Sequence, residues 1–205
     1  IFRNLNLTFE PEKVVGIFGE SGSGKSTLVD LITGILIPES GYIKINDKDL
    51  NENLILIKKL TAYMPQQIFL IDGTIQENIA LGEYKKNINN EKLFGSIKKA
   101  ELDNLINDLP EGIHTKIGDN GIRLSGGQRQ RIGLARSFYF EKQILILDEA
   151  TNALDQLIER SILDNIIKNK KNSLIIIISH NKETLKECDE IYEIIDNNIK
   201  LKFKK

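Results

Sequence analysis

A chain of 205 residues, 40% hydrophobic and 28% charged, is long enough to bury one sizeable core, or one core carrying an inserted lobe. A formal net charge of −1 argues against a nucleic-acid partner, which would call for a basic face. The single cysteine, Cys188, excludes an intrachain disulfide framework and suits a reducing compartment, where it reads as a small packing residue near a helix end. No signal peptide opens the chain, and the longest apolar runs, Leu174 to Ile178 and Ile144 to Leu147, are too short to cross a bilayer. The first residue is Ile1 rather than methionine, which reads as a fragment or a processed piece.

In chain order, Val14 to Phe18 is the first predicted strand, a nearly continuous apolar run of the kind covered on both faces in a parallel sheet. A glycine-rich loop follows. From Ser26 onward the spacing of Leu28, Leu31, Ile32 and Ile35 predicts one apolar helix face. Leu60 to Met64 reads as the next strand. From about 68 to 139 the pattern is helical, with Asn and Lys in the loops and no convincing buried strand, as expected of a second lobe. Ile144 to Leu147 and Leu174 to Ile178 are further strands, separated by a helix with Leu157, Ile158, Ile162, Ile166 and Ile167 on one side. Ile191 to Ile195 and Ile199 to Phe203 flank Asp196-Asn197-Asn198 as a short hairpin. Lys200, Lys202, Lys204 and Lys205 read as a solvated strand face and tail. Strands alternating with helices make this an α/β chain.

The loop Gly19-Glu20-Ser21-Gly22-Ser23-Gly24-Lys25-Ser26 fits the spacing G-x-x-x-x-G-K-[ST] between a strand and a helix. The glycines at 19, 22 and 24 let the backbone turn its N–H groups toward phosphate oxygens, and the helix start adds partial positive charge. Lys25 is expected on the β- and γ-phosphates of ATP, Ser26 on Mg²⁺ and Thr27 on the α-phosphate.

Hydrolysis also needs a metal-side carboxylate and a group that orients or deprotonates water. Asp148 and Glu149 end the Ile144 to Leu147 strand and are the candidates for those two tasks. Gln66 and His180 follow two other predicted strands. In a parallel sheet the carboxyl ends share one edge, so Gly19, Gln66, Asp148 and His180 are expected to converge there. His114, in a loop, has no such location.

Leu124-Ser125-Gly126-Gly127-Gln128 opens a further helical pattern through Tyr139, a second anion-ready helix start with a possible serine cap. Two phosphate sites in one chain suggest that the second serves a nucleotide held by another copy. With GESGSGKST, YMPQQ, LSGGQRQR, ILILDEATNALD and IIIISH in this order, nearly the whole chain resembles the nucleotide-binding domain of ABC ATPases. The resemblance implies an α/β P-loop NTPase core, RecA-like and of the ABC type, at about 1–67 and 140–205, with an inserted helical subdomain at about 68–139. It also implies head-to-tail dimers in which each ATP lies between one phosphate loop and the partner's Ser125, Gly126, Gly127 and Gln128. By the same resemblance Gln66 is the hinge glutamine that senses Mg²⁺, Glu149 the general base, Asp155 the aspartate signalling across the dimer, and His180 the switch at the γ-phosphate.

Thr115 to Asp119 is similar to a loop of the family's exporters, with Asp119 in place of the usual glutamate. Phe69 to Ile79 is similar to the exporter pattern after the hinge glutamine, and the wording of this region is reminiscent of bacterial lipid-linked oligosaccharide flippases. These likenesses imply transmembrane domains as partners, fused upstream, and a place on the cytoplasmic side of the inner membrane, with this chain itself soluble. The chain departs from the family pattern at three places. The adenine-stacking aromatic would precede Ile1, Asn152 stands where serine is usual, and the C-terminal helix is missing or cut short. A soluble ABC ATPase of DNA repair, chromosome maintenance or translation is the alternative, and an inactive regulatory half is disfavoured by the intact motif residues.

Overall fold

The computed structural model describes residues 2–50, 53–168, 170 and 172–205. The elements in chain order are β1 (Val14–Gly19), α1 (Lys25–Ile32), β2 (Lys44–Ile45), β3 (Lys48–Asp49), α2 (Leu54–Leu60), β4 (Thr61–Met64), α3 (Ile75–Ile79) and α4 (Asn90–Lys99). They continue with α5 (Asp103–Asp108), α6 (Gly126–Tyr139), β5 (Ile144–Asp148), α7 (Gln156–Lys168), β6 (Leu174–Ser179), β7 (Glu190–Ile195) and β8 (Asn198–Lys204). The chain divides into two compact units, Ile1–Tyr63 with Lys142–Glu149 and Lys170–Lys205, and Met64–Glu141 with Ala150–Asn169.

The first unit is built on a six-stranded sheet in the order β4-β5-β6-β1-β7-β8. β5, β6, β1 and β7 run parallel, and β8 closes one edge antiparallel to β7. The apolar runs predicted as strands are these central strands, rich in the β-branched residues that pack well on a pleated surface. Val15, Ile17, Ile146, Ile176, Ile178 and Ile194 form the core with Leu28 and Val29 of α1. Asp196 and Asn197 both have positive φ, 49° and 59°, as the tight turn between β7 and β8 requires. The lysines of β8 face glutamates, Lys202 to Glu193 at 2.8 Å and Lys204 to Glu190 at 2.9 Å, a charged edge that discourages further strand pairing. Cys188 is buried where its Sγ would lie 3.1 Å from a Cβ at Gly16, and burial pushes its thiol up to about 12. It is a packing residue.

Two expectations change here. α1 ends at Ile32, so Ile35 is not on its apolar face and is 65% exposed. The reason is local: Gly34 turns the chain at φ 71°, and the amides of Ile35 and Leu36 return to the carbonyl of Asp30. The apolar pattern also did not single out the β2–β3 hairpin or α2. The strand expected from Leu60 begins at Thr61 because Leu60 is the last residue of α2.

The second unit is helical. α3 and α4 pack on α6, and the buried residues include Leu93, Ile97, Ile132, Leu134 and Ala135. Gly133 of α6 is needed for close packing, since a Cβ there would collide with Ile68. The segment Ala150–Asn169, read from sequence beside the sheet strands, groups with these helices. α7 packs on α4, and Ser161 and Asn165 donate to the Glu101 carboxylate at 2.5 and 3.4 Å. On α7, Ile162 and Ile166 are buried whereas Leu157, at its first turn, is 83% exposed.

Candidate functional site

In the sheet unit, β1 is buried and ends at Gly19. A Cβ at Gly19 would stand 2.5 Å from Ser23 Oγ and 3.3 Å from Ile194 Cβ, so the close approach of the loop to its own strand favours glycine. Gly22 and Gly24 have φ 80° and 106°, and Gly24 is the N-cap of α1 with no side chain covering the helix start. The first amides of α1 are thus left for an anion. Lys25 folds back over the loop, its Nζ donating to the carbonyls of Gly19 and Glu20, both at 2.8 Å. Glu20, Ser21 and Ser26 are exposed, and Thr27 is half-buried on the first turn.

Asp148 ends β5 in the register Asp148↔Ile178, and Phe18 at the end of β1 pairs with Ser179, just before His180. Gly19, Asp148 and His180 therefore share the carboxyl edge of adjacent strands. Gln66, expected at the same edge, is exposed just beyond β4 and belongs to the other unit. Asp148 is 8% exposed, and the Tyr63 hydroxyl donates to its Oδ2 at 3.2 Å. Burial pushes the Asp148 carboxyl above the usual carboxylate range, while the Tyr63 bond and the Lys25 charge pull against it.

Glu149 leaves the strand with φ 49°, a left-handed conformation rare for glutamate, and its amide donates to Ile178 O at 3.0 Å. Its Oε1 lies 3.2 Å from His180 Nδ1, and its side chain is 13% exposed against 58% for the imidazole. With its proton on Nδ1, the imidazole donates to the carboxylate and leaves Nε2 directed elsewhere. A shielded carboxylate fixed in this way can accept a proton from water.

In the helical unit, Ser125 is the N-cap of α6 in a complete capping box. Its Oγ accepts from Gln128 N at 3.2 Å, and its own N–H donates to Gln128 Oε1 at 2.8 Å. Gln130 Oε1 accepts from Ala153 N at 2.9 Å, tying the helix to the segment before α7, and Asp155 Oδ1 accepts from Ile158 N at 3.0 Å. Ser125, Gly126, Gly127, Gln128, Arg131 and Asp155 line one hollow of about 360 Å³. A Cβ on Gly127 would stand 3.0 Å from the carbonyl oxygen of Ala153, but one on Gly126 only 3.8 Å from Ala153 Cβ. Gly127→Ala is therefore expected to destabilise the chain by about 1–3 kcal/mol, while Gly126→Ala leaves stability unchanged or slightly raised. Thermal unfolding of the two variants checks this, and equal melting would show that close approach is not what requires Gly127.

The two segments similar to exporter loops also meet within this unit. Ile75 N donates to Thr115 O at 3.2 Å and Ile117 N to Gly73 O at 3.0 Å. The buried Asn78 side chain bonds both the N–H and the carbonyl of Ile71. Arg136 of α6 donates to the carbonyls of Asn78 and Phe69 at 2.8 and 3.0 Å. Phe69 and Ile122 remain 65% and 79% exposed.

A family model described as ABC transporter matches residues 2–152. The chain belongs to that family. This ABC domain is 41% identical over 199 residues to a Rickettsia bellii protein described as an export ATP-binding/permease protein, covering 96% of this chain and 34% of that one. It is 39% identical over 198 residues to an ATP-dependent lipid A-core flippase of Pectobacterium atrosepticum, covering 96% and 34%. A bacterial Atm1-family ABC exporter solved with ATP bound superposes with a TM-score of 0.91 at 30% identity, over 97% of this chain and 35% of that one. The chain thus spans about a third of the length of the relatives it matches. It is an ABC-type ATPase domain with the P-loop NTPase fold. The soluble alternative finds no support among these relatives.

Three polar residues of the ABC domain lie inside the quoted motifs but were not singled out there. Tyr63 acts on Asp148 across neighbouring strands, Gln130 reaches from α6 to the segment before α7, and Arg131 lines the hollow beside Asp155. The available signal was only positional: Tyr63 opens YMPQQ, and the other two close LSGGQRQR.

Proposed function

We propose that two copies of this domain pack head to tail and that ATP turnover between them drives export or flipping of a substrate by transmembrane domains. In this reading the chain is a single ATPase domain, a sheet core with an inserted helical subdomain, working on the cytoplasmic face of the inner membrane. No helix among the described residues is long and apolar enough to cross a membrane.

The observation that carries the reading is the hollow shared by Ser125 to Gln128 and Asp155. It presents the N-terminal end of α6, the kind of surface that receives an anion. A nucleotide held on the phosphate loop of one copy would be closed by this hollow of the other.

Lys25 exchanges its two carbonyl partners for β- and γ-phosphate oxygens, and Thr27 holds the α-phosphate. Ser26 and Asp148 would hold Mg²⁺, and the part given to Gln66 at the cation rests on the resemblance alone. The donors fit that cation: both offer oxygen, only one is a carboxylate, and the phosphates complete a set that Mg²⁺ does not take from protein alone. When bound, Mg²⁺ neutralises charge building on the phosphate oxygens. Glu149 takes the proton from the attacking water, whose oxygen bonds to the γ-phosphorus as the bond to the β–γ bridging oxygen breaks. His180 Nδ1 holds the Glu149 carboxylate in place, and Nε2 faces the γ-phosphate.

The coupling surface in this proposal is formed by Phe69 to Ile79 and Thr115 to Asp119, joined by the backbone bonds of Ile75 to Thr115 and Ile117 to Gly73, while Asn78 and Arg136 brace the first segment. Exposed Phe69 and Ile122 supply apolar contact to the transmembrane partner.

Mixing tests the shared site. Lys25→Ala and Ser125→Arg chains are each expected to be inactive. In a random mixture half the dimers are mixed, each with one intact composite site, so about a quarter of the wild-type rate returns. Strictly no recovery would overturn sharing between copies.

A further inference from the structure

Tyr63 stands on β4, the strand beside β5 at the edge of the sheet, and its ring packs against the core cluster of the sheet unit. Its hydroxyl is turned to Asp148, the one buried carboxylate of β5. The bond joins the carboxylate to the strand that ends at Met64, just before Gln66.

We propose that Tyr63 is a positioning residue for metal binding: its hydroxyl, 3.2 Å from Asp148 Oδ2, engages one carboxylate oxygen and presents the other to the cation. The inference rests on the reading of Asp148 as the metal-side carboxylate. Outer groups that bond a ligand carboxylate fix its orientation, and losing one weakens metal affinity while the ligand itself remains. Two features suit Tyr63 to this. Its ring is anchored by the apolar core, so the hydroxyl is delivered from a rigid strand rather than a loop. Asp148 is itself buried, so a lost hydrogen bond is poorly replaced by water.

Tyr63→Phe removes one oxygen and keeps the ring that packs on the core. The test measures binding of a fluorescent ATP analogue by the whole chain, in EDTA and in Mg²⁺, for wild type, Tyr63→Phe and Asp148→Asn. Wild type is expected to bind more tightly with Mg²⁺ than in EDTA, and Asp148→Asn to lose most of that gain. Tyr63→Phe should match wild type in EDTA within about twofold and lose about tenfold of the Mg²⁺-dependent gain, the size expected for one hydrogen bond to a charged group.

If Tyr63→Phe keeps the full gain while Asp148→Asn loses it, Tyr63 has no positioning role and the Asp148 reading stands. If Tyr63→Phe weakens binding equally with and without Mg²⁺, its contribution is packing and the proposal is overturned. If Asp148→Asn keeps the gain, the metal reading of Asp148 falls and this inference with it. Melting temperatures recorded in parallel show whether the variants are folded.

Discussion

Glu149→Gln is expected to retain ATP binding and to hydrolyse about 10²–10⁴ times more slowly, the range for removal of a general base. β5 delivers its carboxyl end to the edge where β1 delivers the phosphate loop, and the chain then turns through φ 49° at Glu149. That conformation costs about 1–3 kcal/mol in a residue other than glycine, and it accompanies a side chain that is 13% exposed and bonded to His180. Glutamine has the same shape and keeps an oxygen for the imidazole to donate to, but its amide cannot take a proton from water. The variant should therefore accumulate an ATP-bound dimer, visible by size-exclusion chromatography, while phosphate release falls. Hydrolysis at the wild-type rate would overturn the assignment of Glu149 as base.

The second large effect is on binding itself. Lys25→Ala is expected to weaken ATP affinity by about 10²–10⁴, from the loss of two charge-assisted hydrogen bonds of about 1.5–3 kcal/mol each. In the structure the Lys25 ammonium is held by the carbonyls of Gly19 and Glu20 at 2.8 Å, a resting arrangement in which the cation already lies over the loop. Phosphate oxygens replace those carbonyls, so little rearrangement of the side chain is needed on binding. Because this amine bonds only to nearby backbone of an exposed loop, the substitution should leave the melting temperature nearly unchanged. Calorimetric titration with ATP measures the first effect, and undiminished affinity would refute the role given to Lys25.

The two helix starts were more legible in the sequence than the helix ends. The phosphate loop and Ser125 to Gln128 turn backbone amides outward at helix starts, and such turns demand glycines and caps at fixed short spacing. The central strands were legible for a related reason: burial on both faces leaves continuous apolar runs. The end of α1 was less so, since Ile35 extends the helical period although Gly34 has already turned the chain away. The apolar period also overstated α7, where Leu157 keeps the spacing but is exposed at the first turn.

The chain's own order of residues determined the α/β class, the phosphate loop, the signature segment, the acidic pair and the family, because each depends on neighbours within a few positions. Tertiary structure alone decided the Glu149–His180 contact, the Tyr63–Asp148 bond, the need for glycine at 127 and the joining of the two exporter-like loops through the backbone bonds of Ile75 to Thr115 and Ile117 to Gly73. These are contacts between residues distant in sequence. Their existence follows from strand order, helix packing and the left-handed turn at Glu149, none of which leaves a periodic or compositional mark along the chain.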